Sequence, residues 1–328
     1  MRNLNVGITY DLRSDHPELD AEDVAEFDSQ ETIDHLANAI TTLGHTINFI
    51  GNAKQLLARL AIGERWDIVF NIAEGTHGRN REAQVPSLLE LYGIPHVFSD
   101  PLTCSITLDK SIAKRLVSSH GLNTPKFALI SSVKELDDAM LTYPMFIKPN
   151  AEGTSKGIDA KSKVDNFKQL CDVGASLLKR FDQLMLEEYL PGREFTVGIL
   201  ASGKDAWVLG TLEIVIKPSA KTYDYTYETK EKCESLVKYL PVLGEIKTEV
   251  ERLALAAYRA CGCRDAGRVD IRMDASGKPS FMEINALPGL HPTHSDLPMI
   301  ATAFGMPYVN LIGTILESAW SRVPDRGY

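Results

Sequence analysis

The sequence predicts a mixed α/β and α+β chain in three parts, and three observations carry that reading. Through the first hundred residues, apolar runs of strand length alternate with stretches of helical periodicity, the pattern of a parallel sheet covered by helices. Residues 104–190 mix strands and helices without strict alternation, as a small α+β unit does. From Pro191 onward, longer strands joined by turn sequences point to an antiparallel sheet. The expected divisions are therefore 1–103, 104–190 and 191–328, and a chain of 328 residues has room for three cores.

Taken in order, LNVGITY is a strand, and QETIDHLANAITTLGH places Ile33, Leu36, Ala37 and Ile40 on one helical face ended by Gly44. TINFI, KQLLARLA and WDIVFNI follow as strand, helix and buried strand, and PSLLELYG and IPHVFS add a helix and a strand. The second part holds a helix at KSIAKRLVSSHG, strands KFALI and PMFIKP, a helix near FKQLCDVGASLLKR and a strand LMLEEYL. In the third, EFTVGILAS and AWVLGTLEIVI pair across ASGKDA, and GRVDIRMD and PSFMEINALPG pair across ASGKPS. The helix TEVERLALAAYRACG packs among them, and MPYVNLIGTILESAW closes the chain.

Composition narrows the function classes. A net charge of −9 without a local basic patch argues against a nucleic-acid partner. MRNLNVGITYDL has neither the apolar core nor the cleavage site of a signal peptide, and no run approaches the roughly 20 apolar residues of a membrane span. Five cysteines, an odd number without metal or framework spacing, read as reduced thiols of a cytoplasmic protein.

Several motifs bear on chemistry. GILASGK (Gly198 to Lys204) has the spacing of a phosphate-binding P-loop, but Asp205 stands where Ser or Thr is needed, and the segment is a hairpin turn. RVDIRMDASGKPSFMEINALPG carries more. Residues two apart share a strand face, so Arg268 and Asp270 lie on one face with Val269, Ile271 and Met273 opposite. Glu283 and Asn285 likewise share a face, with Met282 and Ile284 behind them. Folding at Ser276-Gly277 brings Asp270 opposite Glu283 and Asn285, a set of hard oxygen donors suited to Mg²⁺ that keeps waters and takes further ligands from phosphates. Without a cation the two carboxylates would repel across the strands. Lys148 ends an apolar strand and Lys110 begins a helix; a buried lysine needs an anionic partner. With the glycine-containing loop in FIKPNAEGTSKGI beside them, that partner is expected to be phosphate.

FIKPNAEGTSKGI, LEEYLPGREFTVGIL, the segment around YDYTYETK, GRVDIRMD and FMEINALPG occur in the order found in D-alanine–D-alanine ligases of the ATP-grasp superfamily, which the chain resembles from about residue 65 to its end. FNIAEGTHGRNREAQVPSLLELYGIP resembles the first-domain His-Gly segment of that family and puts His77 among the expected substrate contacts. The resemblance implies a three-domain ATP-grasp fold. It implies Lys110 and Lys148 on ATP phosphates, with Glu152, Gly153, Thr154, Ser155 and Gly157 as the lid over them. It further implies Glu187, Glu188, Tyr189 and Leu190 along the adenine, and Glu194 on the ribose. Asp270, Glu283 and Asn285 would hold two Mg²⁺ ions, with Mn²⁺ as an alternative. Arg268 would face the developing oxyanion and Lys230 the γ-phosphate. The implied reaction joins a carboxylate to an amine through an acyl phosphate, releasing ADP and phosphate. The substrates would be small and amino-acid-like, and related enzymes are commonly homodimers.

The substrate side departs from the family pattern. After the first strand the chain has GITYDLRSDHPELDAEDVAEFDSQET, longer than usual and lacking Gly-Gly, so that Asp28, or Glu26 as second candidate, takes the place of the acid that holds the first amine. Thr154 replaces the loop serine, Glu231 replaces a tyrosine, and Tyr227 is a candidate substitute for it. His294-Ser295, after Pro288-Gly289, stand where a His-Ser pair binds the second carboxylate, with one residue extra. The expectation is a ligase of altered specificity. A D-alanine–D-alanine ligase and, from another class, a non-catalytic nucleotide-binding regulator are the alternatives.

Overall fold

The computed structural model describes residues 2–138, 141–218 and 233–324. Strands β1 (Asn5–Thr9), β2 (Thr46–Gly51) and β3 (Ile68–Asn71) form a parallel sheet in the order β2–β1–β3. Helix α1 (Gln30–Thr42) crosses between the first two. It begins where Ser29 accepts a hydrogen bond from Thr32 N at 3.2 Å, a cap worth about 1 kcal/mol. It ends before Gly44, whose φ of 87° disfavours any side chain. Ile33, Leu36, Ala37 and Ile40 are buried, as the helical period predicts. α2 (Ala53–Ala61) opens on a reciprocal cap between Asn52 and Gln55, and α3 (Gln84–Leu91) follows β3.

IPHVFS does not become a strand. It runs beside β3 through two backbone bonds, Val69 N to Pro95 O and Val97 N to Val69 O, both 2.9 Å. The chain then turns away at Phe98, whose φ is 72° and whose N–H donates to the buried Asp265 carboxylate at 2.8 Å. Where the sequence suggested only a boundary, a helix forms: α4 (Pro101–Leu108), capped by Asp100 accepting from Thr103 N.

α5 (Lys110–Ser119) leads into the second sheet, antiparallel in the order β4–β7–β5–β6, from β4 (Phe127–Ile130), β5 (Met145–Pro149), β6 (Lys163–Val164) and β7 (Leu184–Glu188). α6 (Phe167–Leu177) covers one face, with Leu170 and Leu177 in a core that includes Ile147, Leu184 and Leu186. The third sheet is also antiparallel, β10–β9–β8–β11–β12, from β8 (Glu194–Leu200), β9 (Trp207–Ile216), β10 (Val237–Pro241), β11 (Ala266–Met273) and β12 (Pro279–Asn285). α7 (Glu245–Ala260) packs on the face that carries Val269, Ile271 and Met273. α8 (Asp296–Ala303), which periodicity did not reveal, packs on the other face. There a Cβ at Gly210 would stand 2.2 Å from the Phe304 ring that follows the helix.

The final helix, α9 (Tyr308–Ser321), packs on α1. One apolar cluster therefore joins residues of the first sheet, such as Ile8 and Phe70, to Leu200 and Leu212 of the third. Asp265 fastens the same junction: its carboxylate accepts from Phe98 N, from Ser318 Oγ at 2.8 Å and from Arg322. Among the described residues, Cys104, Cys171, Cys261 and Cys263 are free thiols, and no single helix is long and apolar enough to cross a membrane.

Between the second and third sheets lies a buried charge triad. Lys148 Nζ stands 2.6 Å from Glu187 Oε1, and Lys114 Nζ stands 3.0 Å from Glu187 Oε2. The anionic partner that a lysine at the end of a buried strand requires is thus a residue of the chain. Burial alone would raise the Glu187 carboxyl, but the Lys114 and Lys148 charges draw it down to about 2. Lys114 is held by burial at about 8 against the pull of Glu187, and its ammonium also donates to Phe281 O of β12 at 3.3 Å. Removing one member of such a buried set leaves the other charges uncompensated. Glu187→Gln is expected to lower the free energy of unfolding by about 3–5 kcal/mol, read by urea titration. A loss within error of zero would show that the two lysines do not depend on that carboxylate.

Candidate active site

The hairpin of β11 and β12 sets the centre of the site. Arg268 pairs with Asn285 and Asp270 with Glu283, as the sequence predicts, but a bulge inserts Met282 between the Asp270–Glu283 and Ile271–Phe281 pairs. The bulge reverses the alternation beyond it. Phe281, not Met282, joins Ile284 in the core beneath α7. The Arg268 guanidinium lies 3.0 Å from Asp270 Oδ2 and contacts Asp296 at the start of α8. With its amide oxygen turned toward the guanidinium, Asn285 accepts from Nη2 at 2.6 Å and from Nε at 3.2 Å.

Lys110 approaches from the N-terminus of α5. Asp109 caps that helix, and Asn150 holds the turn by donating to Asp109 Oδ1 at 3.0 Å and accepting from Ser111 N at 3.1 Å. Lys110 Nζ thereby reaches Glu283 Oε2 at 3.5 Å and donates to the carbonyl of Glu152. The repulsion expected between Asp270 and Glu283 is met within the chain: Arg268 stands beside one and Lys110 beside the other. Repulsion alone therefore does not require a metal. The donor set still suits one, since two carboxylates and an amide oxygen share a cross-strand patch.

The loop 152–157 takes a conformation few side chains adopt. Thr154 and Ser155 have φ of 48° and 55°, and Gly157 has φ of 75° with a Cβ position only 2.7 Å from Pro149 Cγ. The acidic segment before α1 holds it there. Gly153 N donates to Glu26 Oε1 at 2.6 Å and Gly157 N to Glu22 Oε1 at 2.7 Å. Lys156 pairs with Asp23 at 2.9 Å, and Arg180 with Glu22 at 2.6 Å. Behind them Arg81, buried, donates to both Glu26 oxygens at 2.8 and 2.9 Å and to Ala151 O at 3.0 Å.

These contacts wall off a cavity of about 390 Å³ from a second cleft of about 500 Å³. Asp28, Glu26, Thr154, Gly153, Arg268, Asn285, Gly289, His294 and Ser295 line the first. Gly289 lies close under Ser295, whose hydroxyl accepts from His291 N at 3.0 Å. His77 is not among them: it is exposed and lines the second cleft, on the far side of the Arg81–Glu26 contact. Lys230, Tyr227 and Glu231 lie outside the described residues. Along the expected nucleotide strand, Glu188 is 3.7 Å from Lys126 and Leu190 is buried. Tyr189 stacks on Phe146, and Arg272 lies over its ring while pairing with Glu194 at 3.7 Å.

Sequence reasoning missed Arg81, Lys114, Asp296, Glu74 and Glu82. Arg81 and Glu82 lie in the quoted GRNREAQ, but nothing local marks which charged residue there turns inward. Glu74 and Glu82 line the first cavity with Asp28. Burial and the nearby Asp11 charge push Asp28 up to about 7 against the pull of Arg13. Burial and Glu26 push Glu82 to about 7, and Glu74 stands well above the usual carboxylate range through burial and the charges of Glu82, Glu26 and Asp28.

With this geometry established, comparison with known proteins identifies the family. A family model described as the D-ala D-ala ligase C-terminus matches residues 116–317. The chain is 33% identical over 287 residues to a D-alanine--D-alanine ligase of Bordetella petrii, covering 87% of this chain and 85% of that one. The chain belongs to the D-alanine–D-alanine ligase family. As in that family, the fold is ATP-grasp. A D-alanine--D-alanine ligase of Bacillus anthracis complexed with ATP superposes with a TM-score of 0.74 at 22% identity, over 97% of this chain and 98% of that one. A VanG D-Ala:D-Ser ligase of Enterococcus faecalis gives the same score and identity over 97% and 100%. Membership in this ligase family sets aside the non-catalytic alternative.

The raised carboxyls of this family member have a consequence for stability. A carboxyl whose folded pKa exceeds its unfolded value of 3.8 binds more protons folded than unfolded between pH 4 and 7, so stability falls as pH rises through that window. Asp28→Asn is therefore expected to raise the melting temperature at pH 8 and to match the parent near pH 4. Equal melting curves at pH 8 would show that Asp28 is not strained by its surroundings.

Proposed function

We propose that the chain is an ATP-dependent carboxylate–amine ligase for amino-acid-type substrates, with a specificity other than D-alanine–D-alanine. The observation that carries this reading is the convergence of Asp28, Thr154, Arg268, Gly289 and Ser295 on one cavity, with Gly153 and Thr154 of the loop 152–157 in its lining and Lys110 donating to that loop at Glu152. One substrate's carboxylate oxygen attacks the γ-phosphorus of ATP, breaking its bond to ADP. The second substrate's amine nitrogen then attacks the carbonyl carbon, forming the C–N bond, losing a proton and expelling phosphate. Lys110 and Lys148 neutralise phosphate charge, and positioning does most of the work in phosphoryl transfer. Arg268 faces the tetrahedral oxyanion, a contribution of about 3 kcal/mol for a well-placed donor. The loop excludes water that would hydrolyse the acyl phosphate.

Asp270, Glu283 and Asn285 would hold Mg²⁺, which would supply charge neutralisation between the phosphates. With a cation on those carboxylates, Lys110 and Arg268, which now stand beside Glu283 and Asp270, would be able to face the substrates. Glu26 is less suited than Asp28 to hold the first amine, because Arg81 and Gly153 already occupy its oxygens. His77 stands apart from the cavity and is given no role in it. Glu187 contributes its carboxylate to Lys148 in addition to its place beside the adenine.

The names of the relatives favour a second reading, a D-alanine–D-alanine ligase. Phosphate release measured against a panel of L- and D-amino acids decides between the two: release with D-alanine alone, yielding the dipeptide, promotes the second. Glu283→Gln is expected to reduce kcat by about 10²-fold or more with the melting temperature retained, as loss of transition-state charge stabilisation does. Unchanged turnover would remove Glu283 from the metal set.

A further inference from the structure

The first cavity is far more acidic than the ammonium of one simple amino acid requires. Its lining carries six carboxylates against two guanidinium groups. Glu31 is exposed to solvent, and some of these charges are matched, Glu26 by Arg81 and Asp296 by Arg268. Three are not. Asp28 precedes α1, Glu74 follows β3, and Glu82 lies in the turn before α3, so they come from separate segments. Among the described residues, none of these three side chains makes a hydrogen bond or ion pair. The cations nearest in sequence are engaged elsewhere: Arg13 donates to the carbonyls of Phe27 and Ala25, and Arg81 to Glu26 and Ala151 O.

The opposite wall, from the third sheet, presents Arg268 and Asn285. The cavity is thus bipolar, with a guanidinium suited to a carboxylate on one side and a surplus of carboxylates on the other. An alanine ammonium would match one acid and leave two buried carboxyls beside it that avoid an unpaired charge only by holding protons. On the ligase reading above, we infer that the substrate held by Asp28 carries a second cationic group, as a diamino or guanidino acid does, and that Glu74 and Glu82 receive it. The raised affinity of these carboxyls for protons comes first from burial and then from neighbouring acids, Asp11 for Asp28, Glu26 for Glu82, and Glu82, Glu26 and Asp28 for Glu74, against the weaker pull of Arg13 and Arg81. A bound dication replaces those protons, so binding near neutral pH releases them.

The experiment compares chain-length-matched pairs, 2,4-diaminobutyrate with 2-aminobutyrate and ornithine with norvaline, as both enantiomers, in ATP-dependent phosphate release. The expected result is a kcat/KM at least 100-fold higher for the basic member. In the double variant Glu74→Gln, Glu82→Gln that ratio is expected to collapse toward one, chiefly through KM. Equal or better use of the neutral members overturns the inference while leaving the ligase reading intact. Absence of phosphate release with every pair counts against the ligase reading. Calorimetry with 2,4-diaminobutyrate or ornithine, in buffers of different ionisation enthalpy, then decides the inference on its own. Binding with proton release that the double variant lacks supports it, and no binding, or binding without proton release, overturns it. Circular dichroism shows whether the variants fold, which the loss of two unmatched charges favours.

Discussion

The arrangement of this site depends on the buried guanidinium of Arg81. It backs the direct contacts between the acidic segment before α1 and the loop 152–157, holding both oxygens of Glu26 and the carbonyl of Ala151 at the loop's start. A guanidinium offers five donors in one plane, so a single side chain can fix a carboxylate and a carbonyl together. Because the contact is shielded from water, losing it would strand Glu26 without its counterion, a far larger effect than breaking a surface pair. The same contact forms the wall between the two cavities. The closest hydrogen bonds of Arg81 go to Glu26 and Ala151, so Glu74 and Glu82 feel its charge only at a distance, too weakly to offset their burial.

A second buried set, Lys114, Glu187 and Lys148, does comparable work between the second and third sheets. It holds Lys148 extended along the strand end and ties α5 to β12 through the carbonyl of Phe281. Both sets fix buried cations through carboxylate partners within the chain. The loop itself is already curved around two left-handed residues, Thr154 and Ser155, with carboxylates on the N–H groups of Gly153 and Gly157. Backbone N–H groups displayed in this way are suited to anions in general.

Several parts of this arrangement were legible in the residues. The two-residue period of GRVDIRMD and FMEIN placed Asp270 against Glu283, and the pairing has that register. The helical period placed Ile33, Leu36, Ala37 and Ile40 on the buried face of α1. The period failed where geometry departed from regularity. The bulge at Met282 exchanged it with Phe281, and the short α8 has too few turns for a clear stripe. IPHVFS has the composition of a strand, yet the demand of Asp265 for the Phe98 N–H turns it off the sheet after two bonds. The repulsion argument for a metal was incomplete for a related reason, since it counted the anions on one hairpin and not the cations that other elements bring to them.

The sequence by itself determined the order of strands and helices, the faces they bury, the hairpin that gathers Arg268, Asp270, Glu283 and Asn285, and the family to which that order belongs. Those features rest on neighbours within a few residues, where backbone period and turn chemistry are decisive. Only the tertiary structure decided which charges meet. Arg81 finds Glu26 across 55 positions and Ala151 across 70, and Lys110 reaches Glu283 from the start of helix α5. The same folding put His77 in a different cleft from Asp28 and left Asp28, Glu74 and Glu82 facing one space. Electrostatic energy depends on distance and burial, and neither is a property of spacing along the chain.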